Sequence, residues 1–154
     1  MCDFIDISKY NDIYEKIEHV DQIFNDLKKY DIKHVAIEDI MSKFCFGGSR
    51  ISTIITLAKF NMLVTYKCYC IFDIKPEHIN VIHARKLALK EKIPKNVKAK
   101  DFAFDNIISK FNLEKFFNKT KNKYVNQTAD VTDSIVISLA FIEEFYDRFN
   151  QKSS

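Results

Sequence analysis

The fold is decided by residues 4–40, FIDISKYNDIYEKIEHVDQIFNDLKKYDIKHVAIEDI, which have the pattern strand, helix, strand. Apolar residues predict a short strand at residues 4–7, and the apolar run at residues 34–40 predicts a second strand that carries one carboxylate, Glu38. Between them, apolar residues recur at spacings of three and four and predict a capped helix over residues 12–30. Parallel strands need such crossover connections, so the stretch predicts an α/β fold.

The rest of the chain continues this alternation. Gly47 and Gly48 are the only glycines and predict a loop that leads into a helix at residues 50–65. The further predicted elements are a buried strand at residues 69–74 and helices at residues 81–90, 98–111 and 130–149. Residues 112–128 are polar and show no regular pattern. We therefore expect one domain over residues 1–149, with helices covering a sheet, and a polar tail at residues 150–154.

Composition narrows the class of protein. The chain has 154 residues, of which 47% are hydrophobic and 29% charged, and Gly and Pro are two each, which excludes disordered and collagen-like chains. No apolar run is long enough for a membrane span, and the acidic start does not resemble a signal peptide. None of the four cysteines forms a CxxC pair, so we expect reduced thiols and a cytoplasmic location. They are Cys2, Cys45, Cys68 and Cys70.

Positive charge is concentrated in one segment. The formal net charge is only +3, but the segment from Arg85 to Lys123 holds twelve basic and four acidic residues. Charge alone leaves two interpretations open. The segment is either the solvated face of a lysine-rich protein or a surface that follows a phosphate backbone.

Three carboxylates are candidates for a metal site. Glu38 lies in an otherwise apolar strand, and Asp130 and Asp133 open the last helix at a spacing that puts them side by side. Acidic residues in a first helical turn are also favoured by capping and by the helix dipole. The apolar residues around the pair favour a buried carboxylate, which normally needs a cation. Oxygen ligands of this kind suit Mg²⁺ or Mn²⁺.

Four blocks of sequence together resemble a known family. They are VAIEDI at residues 35–40, INVIHARKLAL at 79–89, KAKDFAFDNI at 98–107 and DVTDSIVISLAF at 130–141. In order and approximate spacing, they resemble the RuvC-like Holliday junction resolvases of the ribonuclease H-like superfamily, above all the compact phage-type members. The resemblance covers about residues 4–145 and implies a ribonuclease H-like sheet with helices on both faces.

The resemblance also implies an activity, which is metal-dependent endonucleolytic cleavage of branched DNA in recombination and repair. Four carboxylates hold two divalent ions in this family. Glu38 matches the glutamate on the fourth strand, and Asp130 and Asp133 match the two aspartates on the last helix. Lys100 resembles the lysine that contacts the scissile backbone.

Further expectations concern partners. Arg85 and Lys86 resemble the basic pair after the fifth strand, which positions DNA, and we add Lys98 and Lys100 to the expected nucleic-acid-binding residues. Symmetric cleavage of a junction implies a homodimer, which we expect to form through the helix at residues 50–65. The resemblance implies neither a membrane partner nor a small-molecule cofactor.

The N-terminus departs from the family pattern. The family begins with a strand that carries the first metal-binding aspartate, whereas FIDIS leads straight into the first helix and matches the third strand. The first two strands and that aspartate are then missing, with Asp6 as the candidate substitute. Three functions stay open. They are a junction nuclease that is incomplete in this chain, a catalytically inactive nucleic-acid-binding or scaffold protein of the same fold, and a ribonuclease H-like nuclease that acts on RNA or hybrids.

Overall fold

A computed structural model describes residues 4–40 and 51–151, with side chains up to Phe145. The architecture mixes helix and strand and is 64% helical. The α-helices of this part are α1 (Ile13–Leu27), α2 (Ile51–Phe72), α3 (Val81–Leu89), α4 (Ala99–Phe111) and α5 (Thr128–Gln151). Short 3₁₀ helices lie at Lys28–Tyr30 and Leu113–Phe116. The predicted loop at Gly47 and Gly48 lies outside the described residues.

The strands are short and form two separate pairs. β1 (Ala36–Glu38) pairs with β2 (Glu77–Ile79), and β3 (Phe117–Asn118) pairs antiparallel with β4 (Lys123–Tyr124). Mixed helix and strand is therefore confirmed. Within residues 4–40 and 51–151 each sheet has two strands, so this arrangement does not confirm a ribonuclease H-like sheet.

The first predicted strand is not formed, because local hydrogen bonds take its place. Residues 4–7 have no regular secondary structure. The Asp6 carboxylate accepts a hydrogen bond from the Ser8 N–H at 2.9 Å, and the Ile7 carbonyl accepts one from the Tyr10 N–H at 3.2 Å. Short polar side chains that bind nearby backbone groups in this way compete with sheet formation.

Helix α1 follows the prediction closely. The Asp12 side chain caps it by accepting a hydrogen bond from the Tyr14 N–H at 3.2 Å, which satisfies one of the unpaired donors of the first turn. Ile17 and Val20 are buried on the predicted apolar face. The helix then tightens into the 3₁₀ turn at Lys28–Tyr30.

Helix α2 is longer than predicted, and the strand predicted at residues 69–74 is wrong. The helix continues to Phe72, whose ring lies 5.6 Å from that of Phe24 in α1. The buried Cys68 lies one turn earlier on the same face. Burial against α1 at helical spacing therefore outweighs the β propensity of the Tyr, Cys and Ile residues in this stretch.

The chain divides into two compact units. Of the described residues, 5–40 and 51–78 form the N-terminal unit, which holds α1, α2 and β1. Residues 79–151 together with Phe4 form the C-terminal unit, which holds α3, α4, α5 and the β3–β4 pair. The single domain over residues 1–149 stays a prediction.

The core of the C-terminal unit is built by helix packing. α3 and α4 both pack on α5, and two alanines with no exposed surface, Ala84 of α3 and Ala140 of α5, allow a close approach. Ile107 of α4 and Val136 of α5 fill the remaining space with at most 1% exposure. The predicted helices at residues 81–90, 98–111 and 130–149 are therefore confirmed within one or two residues at each described end.

Several chain reversals use a positive φ without glycine. Such residues follow the 3₁₀ turn, α2, α3 and α4, and they are Asp31 (49°), Asp73 (55°), Lys90 (49°) and Asn112 (50°). The left-handed conformation ends a helix and lets its last carbonyls find partners. The Asn112 N–H, for example, donates to the Ile108 carbonyl.

Helix length also bears on membrane insertion. Among the described residues, no helix combines the length and the apolar character that a membrane span requires.

Candidate functional site

The centre of the candidate site is an ion pair between α3 and α5. The Arg85 guanidinium donates to Asp133 through Nε to Oδ1 at 3.1 Å, Nη2 to Oδ1 at 2.7 Å and Nη2 to Oδ2 at 2.8 Å. The two side chains are only 12% and 13% exposed. Both carboxylate oxygens of Asp133 are thus bound by one planar cation, the strongest geometry for a protein ion pair.

The packing of two helices places this pair. Ala84 and Leu89 are buried on α3 and fix the face that α3 presents to α5, so Arg85 lies beside that interface. On α5, Asp133 lies between the buried Thr132 and the fully buried Val136. Asp133 is in the second turn of its helix, whereas Asp130 is the acidic residue of the first turn, where the helix dipole favours a negative charge.

The predicted need of a cation is met by the protein itself. Asp133 is the buried member of the predicted pair and Asp130 is exposed, which agrees with the expectation that at least one carboxylate points along a buried face. A carboxylate at this depth loses most of its hydration, and the cost is offset only by a bonded positive charge. Arg85 supplies that charge, so an interaction expected with DNA is used within the fold.

Two further polar contacts join α3 and its C-cap residue to α5. His83 Nε2 lies 2.9 Å from Glu144 Oε1, and Lys90 Nζ lies 2.8 Å from Glu143 Oε1. All four of these side chains are at least 34% exposed, so each pair contributes little to stability. Lys86 is the remaining basic residue of α3, and it is exposed.

The other predicted site residues lie at the surface. Lys98 is the N-cap residue of α4 and Lys100 lies in its first turn, and both are exposed. Asp6 is exposed, and its hydrogen bonds with Ser8 hold the pKa of its carboxyl below the usual value. Asp6 thus serves a local turn.

Glu38 ends β1 in the N-terminal unit. Its backbone carbonyl accepts a hydrogen bond from the Asn61 side chain at 2.9 Å, which ties the end of β1 to α2. Asp130 and Asp133 belong to the C-terminal unit. The convergence of the three carboxylates therefore stays a prediction.

A divalent ion such as Mg²⁺ needs several oxygen donors around one point. In the part of the chain that the structure describes, no group of three or more His, Cys, Asp and Glu side chains is placed to hold a metal. The chemistry of Asp130 and Asp133 fits Mg²⁺, since hard cations prefer carboxylate oxygens. Arg85 donates to both oxygens of Asp133, so Arg85 competes with a metal ion for this carboxylate.

Comparisons of the chain with protein-family models, curated proteins and solved structures give no significant match.

Sequence reasoning identified both members of the central pair but not their contact. Arg85 was assigned to DNA and Asp133 to metal. One signal pointed to the pair. Apolar residues lie four positions before and after each member, Val81 and Leu89 around Arg85 and Ala129 and Ile137 around Asp133, and a buried charge needs a partner. The basic β3–β4 hairpin was also missed, since residues 112–128 show no alternation of apolar and polar residues.

Proposed function

We propose that this chain is a RuvC-like, structure-selective endonuclease that cleaves branched DNA with Mg²⁺ or Mn²⁺ as cofactor. The observation that carries the proposal is the contact between Arg85 and Asp133. It brings the blocks at residues 79–89 and 130–141 together, and these are the blocks to which the resemblance assigns phosphate binding and metal binding. The proposal also includes the fold, a ribonuclease H-like sheet that lacks its first two strands.

The residues divide into two roles in this proposal. Glu38, Asp130 and Asp133 hold the metal ions, which when bound supply Lewis acidity and an activated water. Lys100, which is exposed in the first turn of α4, offsets negative charge on the scissile phosphate. Lys86 and Lys98 bind the backbone on either side of it.

Arg85 has a specific part in this scheme. Its guanidinium holds the Asp133 carboxylate in one orientation while no other cation is bound there. When Asp133 serves as a metal ligand, Arg85 is released, and its forked donors match a phosphate as well as they match a carboxylate. One side chain then alternates between the fold and the DNA.

The proposal includes a homodimer and a reducing, cytoplasmic setting. Two strands of a junction are cut symmetrically by two copies of a site, and α2 exposes an apolar face suited to self-association, with Ile55 49%, Met62 65% and Tyr66 61% exposed. The reducing setting rests on the sequence, in which none of the four cysteines forms a CxxC pair.

A second candidate function is non-catalytic binding of branched nucleic acid, as a binding or scaffold protein. The bidentate Arg85–Asp133 pair favours it, because a carboxylate with both oxygens bonded to arginine is already neutralised. The fold then keeps the pair as a structural contact and needs no metal.

The test is junction cleavage and junction binding by the purified chain. We expect Asp133→Asn to lower Mg²⁺-dependent cleavage of a four-way junction by about 100-fold or more, while binding in EDTA stays within about threefold of wild type. Asp105→Asn removes an exposed carboxylate from α4 and is the matched control, with no expected change. Asp133→Glu retains the negative charge. It shows whether the loss of cleavage in Asp133→Asn comes from the lost charge or from a disturbed fold.

The outcomes separate the two candidate functions. Binding of the junction without metal-dependent cleavage by wild type refutes the nuclease and supports the binding protein. Equal cleavage by wild type and Asp133→Asn refutes the role of Asp133. The absence of any preference for junction over duplex DNA refutes both candidates.

A further inference from the structure

We propose that the β3–β4 hairpin is a phosphate-backbone binding element for DNA, separate from the residues already assigned to nucleic acid. The inference deepens the proposed function, because it rests on DNA as the partner. The hairpin is defined here as residues 117–124, with the sequence FNKTKNKY. Its three lysines are Lys119, Lys121 and Lys123, and all are exposed.

The hairpin is a fixed scaffold. Phe117 pairs with Tyr124 across the strands, and their rings lie 5.0 Å apart. The Tyr124 ring also meets the edge of Phe104 in α4, with centroids 5.5 Å apart and planes at 81°. Such aromatic pairs add to the stability of a short hairpin that would be marginal by itself.

Hydrogen bonds fix the loop as well. The Asn118 side chain accepts from the Lys121 N–H at 3.1 Å, and the Lys119 carbonyl accepts from the Asn122 N–H at 3.3 Å. Asn122 adopts a φ of 48°, which asparagine tolerates better than most residues. Just beyond the strands, the Val125 N–H donates to the Phe116 carbonyl at 3.0 Å. The backbone that bears the lysines is therefore ordered before any ligand binds, which lowers the entropic cost of binding.

The lysine charges are not used within the fold. Among the described residues, no carboxylate lies within salt-bridge distance of the three ammonium groups, whereas Lys90 and Lys110 have such partners. The sequence contains no acidic residue from Lys115 to Ala129. A compact group of three uncompensated charges attracts a polyanion and resists close packing against basic or apolar surfaces.

The chemistry of the tip selects a phosphate backbone over a lipid surface. Polar residues, Thr120 and Asn122, separate the lysines and add hydrogen-bond groups for phosphate oxygens. The two aromatic rings lie at the base and are partly buried, so the tip has no apolar side chain to enter a bilayer. Lysine contacts of this kind read no base sequence, so the hairpin contributes affinity to duplex arms and junctions alike.

The test uses the salt dependence of DNA binding by the full chain. Fluorescence anisotropy is measured on duplex and four-way junction DNA in EDTA over a series of KCl concentrations. The slope of log K against log salt is negative, and each lost phosphate contact reduces its magnitude by about 0.9. The triple variant Lys119→Gln/Lys121→Gln/Lys123→Gln should therefore reduce that magnitude by about 2.7 on both DNAs. Its melting temperature should match wild type, because exposed lysines are replaced.

Two variants control the result. The triple variant Lys9→Gln/Lys28→Gln/Lys29→Gln removes the same charge from exposed positions in the N-terminal unit, and its slope should stay within about 0.5 of wild type. Replacement of the three hairpin lysines by arginine retains the charge and should retain the slope.

Each other outcome has a definite meaning. An unchanged slope in the hairpin variant, or an equal loss in the N-terminal variant, overturns the inference. If the hairpin variant loses affinity only for single-stranded RNA, or only for vesicles that contain phosphatidylserine, the hairpin is assigned to that other partner. This outcome also overturns the inference. A slope of reduced magnitude on DNA without metal-dependent cleavage refutes the nuclease while the hairpin inference stands, and the absence of DNA binding by wild type refutes both.

Discussion

The two units of the chain bury apolar side chains very differently. In the C-terminal unit three helices meet, and residues such as Ala103, Leu113 and Val131 are at most 2% exposed. In the N-terminal unit the described core is thin. Its buried apolar residues are Ile17, Val20 and Cys68.

The difference shows that apolar composition does not predict burial. Helix α2 has only two charged residues, Lys59 and Lys67, yet Ile51 and Leu57 are 74% and 59% exposed. Burial needs a partner surface, and within the N-terminal unit α2 packs mainly on one helix, α1. Stability should therefore be concentrated in the C-terminal unit, and the N-terminal unit should open locally at lower cost.

The largest expected effect compares the same substitution in the two units. Leu113→Ala should lower the free energy of unfolding by about 3 to 5 kcal/mol, because it removes a buried side chain and leaves a cavity. Leu57→Ala should change it by less than about 0.5 kcal/mol, because Leu57 is largely in water. Urea unfolding followed by circular dichroism measures both values. Comparable losses of unfolding free energy in the two variants would contradict the difference between the two units.

The second comparison concerns one ion pair from each unit. Arg85→Met should cost about 2 to 3 kcal/mol, because it leaves the Asp133 carboxylate without its cation in a site that is 13% exposed. Lys67 bonds Asp21 at 2.6 Å, but these side chains are 34% and 32% exposed. Lys67→Met should therefore cost less than about 1 kcal/mol. Double-mutant cycles give the two coupling energies. A stronger coupling in the Lys67–Asp21 pair than in the Arg85–Asp133 pair would contradict this prediction.

A smaller effect tests burial within the thin core. Burial raises the pKa of the Cys68 thiol to about 11 from an ordinary value of 9.0. The folded state then holds the proton more tightly than the unfolded state, so the contribution of Cys68 is present below about pH 9 and is lost between about pH 9 and pH 11. We expect a fall of about 2 kcal/mol over this range.

The check is urea unfolding at about pH 8 and about pH 11. The raised pKa of Lys67, caused by its hydrogen bond to Asp21, shifts stability in the same direction at still higher pH. Cys68→Ala should remove the Cys68 share of the pH dependence, whereas Cys70→Ala should not, because Cys70 is exposed. The same pH dependence in both variants would show that the Cys68 site admits water.

The helices were predictable because local signals and packing agree. The Asp12 cap and the apolar spacing that follows it define α1, and the regular spacing in residues 98–111 and 130–149 defines α4 and α5. Of the strands, β1 lies within the strand predicted at residues 34–40, whereas β2, β3 and β4 were not predicted. β3 and β4 have two residues each, and the loop KTKN lacks the Asn-Gly or Asp-Gly sequence typical of tight hairpins.

The burial of Asp133 was predictable, but its partner was not. The apolar setting of Asp133 correctly indicated a buried carboxylate that requires a cation. Nothing in the sequence distinguishes a metal ion from Arg85 as that cation, since they are 48 positions apart and the choice depends on how α3 packs on α5. Tertiary contacts of this kind decide between chemically equivalent partners.

The scarcity of glycine at the helix ends affects the unfolded chain as well as the fold. Asp31, Asp73, Lys90 and Asn112 each hold a left-handed backbone angle that costs a residue with a β-carbon about 1 kcal/mol. Glycine would remove that strain, but it would also widen the range of conformations open to the denatured ensemble. The chain thus ends its helices with local strain and in return has a stiffer polypeptide, which loses less conformational entropy when it folds.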